Sequence, residues 1–177
     1  MLPATFETPR LLARLPVPGD AALIFASYAT KPEVSRYMVW QPHRKLATTE
    51  AFISECIAAA SAGARLPYVL SERSAPGAPI GMLEARLLAY KVDLGYVLTP
   101  SAWGRGYMPE AISALTELAL TGAEVFRVQA FCDVENIPSQ RALEKAGFIR
   151  EGRHERFFVH PNVGPEPRPC YMYAKCR

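Results

Sequence analysis

The sequence predicts a mixed α/β or α+β fold in which helices cover a β-sheet. Three observations carry this reading. Short β-rich runs alternate with amphipathic helical stretches. Strand-like runs follow one another between residues 67 and 98. Glycine and proline mark several of the junctions. The chain has 177 residues, and a domain of this size buries about 70% of the surface its unfolded form exposes. It is therefore read as a single domain, residues 1–177, that needs no disulfide or metal to stay folded.

The elements are justified in order. Residues 11–15 are short, apolar and preceded by Pro9, which suits a first strand. Asp20 is a plausible helix cap, followed by Ala21, Leu23, Ile24 and Tyr28 at helical spacing. Pro32 and Glu33 open a second short helix that ends near Tyr37. Thr48 or Thr49 caps a third, with Phe52, Ile53, Cys56 and Ile57 on one face and Gly63 at its end. Residues 67–72 and 80–88 read as strands around a turn at 74–79, and 92–98 is a strand stopped by Pro100. Pro109 sits in the first turn of a helix, where its missing N–H costs nothing. That helix carries Ala111, Ile112, Leu115, Leu118 and Ala119 on one face and stops at Gly122. Residues 125–132 form a strand, and 138–146 a helix closed by Gly147 with Leu143 and Ala146 inward. Residues 148–160 and 170–175 form a last strand pair joined by the proline-rich loop 161–169.

Composition narrows the function classes. Hydrophobic residues make up 50% and charged residues 21%, with a net charge of +3. That is ordinary for a globular protein, and no basic run marks a nucleic-acid partner. No apolar segment approaches the about 20 residues of a membrane helix, and Met1 to Thr8 show no secretory pattern. The expectation is a cytoplasmic protein with neither a membrane nor a nucleic-acid partner. The four cysteines show no CxxC spacing, so free thiols are expected and a zinc site is not. Cys132 has no histidine near it in sequence and reads as a buried, inert thiol. His43, His154 and His160 follow no metal spacing and read as loop or surface residues.

The informative stretch runs from Gly95 to Ala111. A strand ends, a glycine-bearing loop follows, and a helix begins. Such a loop aims several backbone N–H groups at one point, and the helix N-terminus adds partial positive charge, which suits a phosphate or pyrophosphate. Gly104 and Gly106 let the backbone approach closely. Three phosphate loops share this outline. A Walker loop requires Gly-Lys-Ser/Thr, which Gly106-Tyr107-Met108 does not supply. A dinucleotide loop requires a third glycine where Pro109 stands. The third is the acyl-CoA pyrophosphate loop.

The run Trp103-Gly104-Arg105-Gly106-Tyr107-Met108 resembles the signature of the GNAT superfamily of acyl-CoA-dependent N-acetyltransferases, Gln/Arg-x-x-Gly-x-Gly/Ala. It departs from that signature at Trp103 and at Met108, which is expected to narrow the loop by one side chain. Its Trp-Gly-x-Gly-Tyr form resembles the RimJ/RimL-like branch, the ribosomal-protein N-terminal acetyltransferases. The stretch from Val134 through Asn136, Ser139 and Arg141 to Phe148 resembles the family's second motif. Thr8 to Arg14 and Asp93 to Leu98 also resemble this branch.

The resemblance implies a mixed, mostly antiparallel sheet of about six or seven strands, splayed between two parallel central strands at 92–98 and 125–132, with helices on both faces. It implies acetyl-CoA as cosubstrate, no metal, and direct attack by a primary amine on the acetyl carbon. The acceptor is read as a protein or peptide α-amino group. The alternatives are a small amine, such as a polyamine or amino sugar, and a non-catalytic acyl-CoA-binding module. Val97 and Leu98 are expected to meet the pantetheine arm. Trp103, Gly104, Arg105, Gly106, Tyr107 and Met108 would hold the pyrophosphate, and Arg141, a turn before Lys145, would touch the CoA phosphates. Asn136 and Ser139 resemble the positions near the sulfur, with Ser139 the preferred proton donor. Asp93, acting through water, is the first general-base candidate and Glu135 the second. Tyr37 and Trp40 would line the acceptor groove.

Each residue also has a structural reading: Asn136 as a helix cap, Ser139 as a first-turn residue, Asp93 as a solvated strand position, Tyr37 and Trp40 as core, and Arg141 as a solvated face. A homodimer is compatible with the sequence, which does not itself fix the oligomeric state.

Overall fold

The computed structural model describes residues 2–177. One eight-stranded sheet, in the order β1-β2-β3-β4-β5-β6-β8-β7, runs through the chain. Its strands are β1 (Thr5–Glu7), β2 (Leu11–Arg14), β3 (Arg65–Glu72), β4 (Pro79–Leu88), β5 (Lys91–Leu98), β6 (Arg127–Asp133), β7 (Ile149–Val159) and β8 (Pro167–Cys176). The helices are α1 (Asp20–Ile24), α2 (Pro32–Ser35), α3 (Leu46–Ser61), α4 (Tyr107–Thr121) and α5 (Ile137–Lys145). The added strand is β1, three residues long and too short to leave an alternation in the sequence. Every neighbouring pair is antiparallel except β5 and β6.

The two faces are read from strand alternation. Tyr68, Leu70, Leu83, Ala85, Val92 and Leu94 meet α4 and α5 through Ile112, Leu115 and Leu143. Val69 and Met82 face the other way, onto Ile24, Tyr28, Ile53 and Cys56 from the α1–α3 side. Ile112, Leu115 and Leu143 are fully buried, and each such side chain contributes about 1.5–3 kcal/mol.

Two helix starts differ from expectation. Gly19, not Asp20, is the residue before α1, and the Asp20 carboxylate is buried against Arg14 at 2.6 Å and the Val17 amide at 2.8 Å. The α3 helix begins two residues before Thr48, after Lys45. Downstream of α1 the chain continues as a wider π-turn over Phe25–Ala29. The last strand in the sheet order, β7, is largely exposed and carries two register shifts, with Arg156 in the left-handed region at φ 47°.

Candidate active site

The β5–β6 ladder positions the site. It has three rungs, Lys91↔Arg127, Val92↔Val128 and Asp93↔Gln129, and then stops. Over Leu94–Leu98, β5 stays paired to β4, while β6 continues along β8 as far as Asp133. The backbone of residues 94–98 thus lacks a strand partner on its β6 side. A wedge opens toward the carboxyl ends of two parallel strands. Gly81, opposite Leu98, makes the close β4 contact there: a Cβ on it would collide with the Val97 carbonyl oxygen.

The glycine loop follows β5. A short 3-10 turn at Pro100–Ala102 leads through Trp103 to Gly104 and Gly106, both left-handed at φ 72° and 77°. A side chain at either position would be strained. A Cβ at Gly104 would meet no protein atom within 4 Å, and one at Gly106 only an Arg10 nitrogen at 3.5 Å. The space in front of the loop is therefore open. Gly106 precedes α4, and no side chain caps that end, so the amides of Tyr107 and Met108 have no intrahelical acceptor. Pro109, next in the turn, has no N–H to leave unpaired.

Met108 does not narrow the loop as its sequence position suggested. Its side chain is buried in the α4 core, as is that of Tyr107, so both bring backbone to the loop. Trp103 is 48% exposed, and its indole N–H donates to the Leu98 carbonyl at 2.9 Å, tying the loop to the end of β5. Arg105 donates to Glu72 at 2.9 Å and lies 4.7 Å from the Tyr107 ring centroid.

Arg10, which the motif reading did not single out, lies 4.7 Å from the same ring centroid and donates to the Arg105 carbonyl at 2.9 Å. Both guanidiniums bring positive charge to the loop. Glu110 fixes Arg10 in place: its carboxylate accepts from Thr8 Oγ1 at 2.6 Å, the Arg10 amide at 3.0 Å and Arg10 Nε at 2.6 Å. Burial alone would raise the Glu110 carboxyl, but the Thr8 and Arg10 bonds and the Arg10 charge outweigh it and hold it below its ordinary value.

Across the wedge, Asn136 accepts from the Ser139 amide at 3.3 Å and so caps α5. Ser139 is half-buried, and its Oγ lies 2.7 Å from the Tyr96 phenol. Cys132, at the end of β6, is buried, and desolvation pushes its thiol up to about 11 even though a Ser139 hydrogen bond works the other way. Arg141 and Lys145 are exposed on α5.

Asp93 occupies the last shared rung, not the open part of the wedge. Its Oδ2 accepts from Arg86 at 2.7 and 3.1 Å and its Oδ1 from Gln129 at 3.2 Å. Glu135 is exposed and bridges to Arg168 at 2.9 Å.

The segment after α2 is half-buried at Tyr37 and Trp40. Tyr37 stands edge-on to His160, and Trp40 packs on His43 and the α1–α3 core. Two side chains from the β7–β8 loop hold this segment by its backbone. His160 Nδ1 meets the Tyr37 carbonyl at 3.0 Å, and Asn162 donates to the Ser35 and Trp40 carbonyls at 2.7 and 2.8 Å. His160 is a loop residue as expected but is only 3% exposed. Desolvation lowers its pKa although Asp133 acts in the opposite sense. Open depressions of about 490 and 440 Å³ adjoin the segment, one beside Arg36 and Asn162, the other beside Trp40 and His43.

No group of three or more metal-ligating side chains is assembled among the described residues. No helix among them is long and apolar enough to cross a membrane.

Comparison with known proteins gives the arrangement a family. Residues 10–149 match the acetyltransferase (GNAT) domain. The uncharacterized N-acetyltransferase YoaA of Bacillus subtilis (strain 168) is 27% identical over 174 residues, covering 97% of each chain. Among solved structures, the microcin self-immunity acetyltransferase MccE in complex with acetyl-CoA and AMP superposes with a TM-score of 0.86 at 15% identity, over 96% of this chain and 94% of that one. RimL, a ribosomal-protein α-N-acetyltransferase in complex with coenzyme A, gives 0.82 at 19% identity, over 99% and 97%. With the parted strands, the glycine loop and a family match over most of its length, this chain belongs to the GNAT acetyltransferase family.

Proposed function

We propose that the protein moves an acetyl group from acetyl-CoA to a primary amine, with a peptide or protein α-amino group as the favoured acceptor. The observation that carries this is the strand pair that parts after three rungs beside an amide-lined loop. Unpaired backbone at residues 94–98 suits the amides of a pantetheine arm, and the loop amides with Arg10 and Arg105 suit a pyrophosphate. The open space in front of Gly104 fits such a group. RimL, with its coenzyme A and α-amino acceptor chemistry, supports the choice of donor and of acceptor class.

In this reading Val97 and Leu98 orient the thioester by their backbone. Gly104, Gly106, Tyr107 and Met108 bind phosphate oxygens through their amides, Trp103 holds the loop in register, and Arg141 reaches the CoA phosphates. Asn136 fixes the first turn of α5, and Ser139 gives a proton to the departing sulfur. Both Asp93 oxygens are engaged, so that carboxylate takes the amine proton through a water. Tyr37 and Trp40 border the acceptor.

The pairing of Asp93 with Arg86 and of Glu135 with Arg168 favours one rival, a non-catalytic acyl-CoA-binding module. A thiol-release assay with acetyl-CoA, short peptides and small amines separates the readings. Release with peptides is expected. Release only with small amines changes the acceptor class. Calorimetric CoA binding without release on any acceptor selects the binding module.

A further inference from the structure

One contact in the wedge is unused by the transferase reading. The Tyr96 and Ser139 hydroxyl oxygens are 2.7 Å apart and join positions 43 residues apart in sequence. Tyr96 lies on β5 three residues beyond Asp93, the last rung shared with β6. Ser139 is the third residue of α5, the helix that follows β6. The hydroxyl pair therefore spans the gap where backbone pairing has ended.

A phenol, with a pKa near 10, is a stronger donor than an alkyl hydroxyl. The favoured polarity sends the Tyr96 proton to Ser139 Oγ. The alternative acceptor for Tyr96, the Ser139 carbonyl, lies farther away at 3.4 Å. Ser139 is then left with its own proton, for which the Cys132 sulfur is the neighbouring protein acceptor and the leaving sulfur would be the competing one. A hydroxyl that accepts a hydrogen bond donates a stronger one. Burial pushes the Tyr96 phenol above its ordinary value, against the effect of the Ser139 bond, so Tyr96 stays a donor at working pH. Cys132, the third group near this oxygen, keeps its thiol proton for the same reason.

We propose that Tyr96 is a positioning residue whose phenol donates to Ser139 Oγ and so aims the Ser139 proton into the cleft, toward the leaving sulfur. This rests on the transferase reading. As the C–S bond breaks, Ser139 gives its proton to the sulfur. The proton that the amine nitrogen sheds on forming the C–N bond passes through water to Asp93 and on to solvent, and solvent returns one proton to Ser139, so the step balances.

The test compares the wild-type protein, Tyr96→Phe, Ser139→Ala and the double variant in acetyl-CoA thiol release, using whichever peptide or amine the wild type turns over fastest. Ser139→Ala is expected to lower kcat about 100-fold, the scale of a general acid. Tyr96→Phe, which keeps the ring, is expected to lower kcat about tenfold, the kinetic worth of one hydrogen bond. The KM for acetyl-CoA should stay within about twofold. In the Ser139→Ala background, Tyr96→Phe should cost nothing more, because its effect runs through the serine. Calorimetric CoA affinity equal to wild type shows that the Tyr96→Phe site is intact. Wild-type kcat in Tyr96→Phe, a loss confined to KM, or a loss that persists without the serine would overturn the inference while leaving the transferase reading standing. A wild type that releases no thiol with any acceptor removes the transferase reading itself and this inference with it.

Discussion

The two ends of the proposed site are built differently. The phosphate end is made of backbone: two left-handed glycines and an uncapped helix start, flanked by Arg10 set by Glu110 and Arg105 set by Glu72. The acceptor end is made of half-buried aromatic residues whose carbonyls are held by His160 and Asn162, side chains more than a hundred positions away. The first end depends on what the local chain lacks, namely Cβ atoms and a capping side chain. The second depends on distant donors arriving in the right place. Changes at the first should therefore act on the donor and changes at the second on the acceptor.

The largest effect that would expose this division is at Gly106. A β-branched residue there must adopt φ near 77° and puts its side chain against the Arg10 guanidinium at the mouth of the loop. Gly106→Val is expected to weaken CoA binding about 100-fold, combining about 1–2 kcal/mol of backbone strain with lost phosphate contact. Isothermal calorimetry reads this directly, and unchanged affinity removes the loop from the site.

Asn162→Ala comes next. It deletes two hydrogen bonds to the Ser35 and Trp40 carbonyls, a loss of about 1–2 kcal/mol. The KM for the acceptor should rise about tenfold while CoA affinity holds. A matching fall in CoA affinity would break the comparison, because the two ends would then not be independent.

The smallest effect is electrostatic. Glu110 in the folded protein titrates below its ordinary value. Its stabilisation is thus complete above the unfolded pKa, about 4.3, and is lost as pH falls through the folded one. Glu110→Gln should cost about 1–2 kcal/mol at pH 7 and progressively less under acid conditions. Melting temperatures of both proteins between pH 3 and 7 should converge at the acid end; a constant gap would show that the carboxylate's charge is not what holds Arg10.

The same division explains what could be read from the chain alone. The fold class and the glycine loop leave local marks: alternation, a stop at Pro100, two glycines before Pro109. The parting of the strands leaves none and is implied only by the family resemblance. The cap at Asn136 and the first-turn place of Ser139 are legible because both lie within four residues; their place near the sulfur is implied only by the family resemblance. Long-range partners leave no such mark. The Tyr96–Ser139 contact, the Arg86 and Gln129 bonds to Asp93, and the Asn162 tie to Trp40 join separate elements. Met108 departs from expectation because a loop pattern does not say which way a side chain turns, and the first turn of α4 sends it into the core. The close approach at Gly81 leaves no mark in the sequence, because only the β4–β5 register shows what a Cβ would strike.

The shifted register of β7 bears on how copies of this chain can meet. An outermost strand offers unpaired amides and carbonyls to any extended neighbour. Here, two breaks in the ladder and a left-handed Arg156 interrupt the regular spacing that such a neighbour would need. Arg150, Glu151, Arg153, Glu155 and Arg156 add charge along the same strand. Growth of the sheet from one molecule into the next is thereby discouraged, and ordered aggregation through this flank is blocked by shape and charge together.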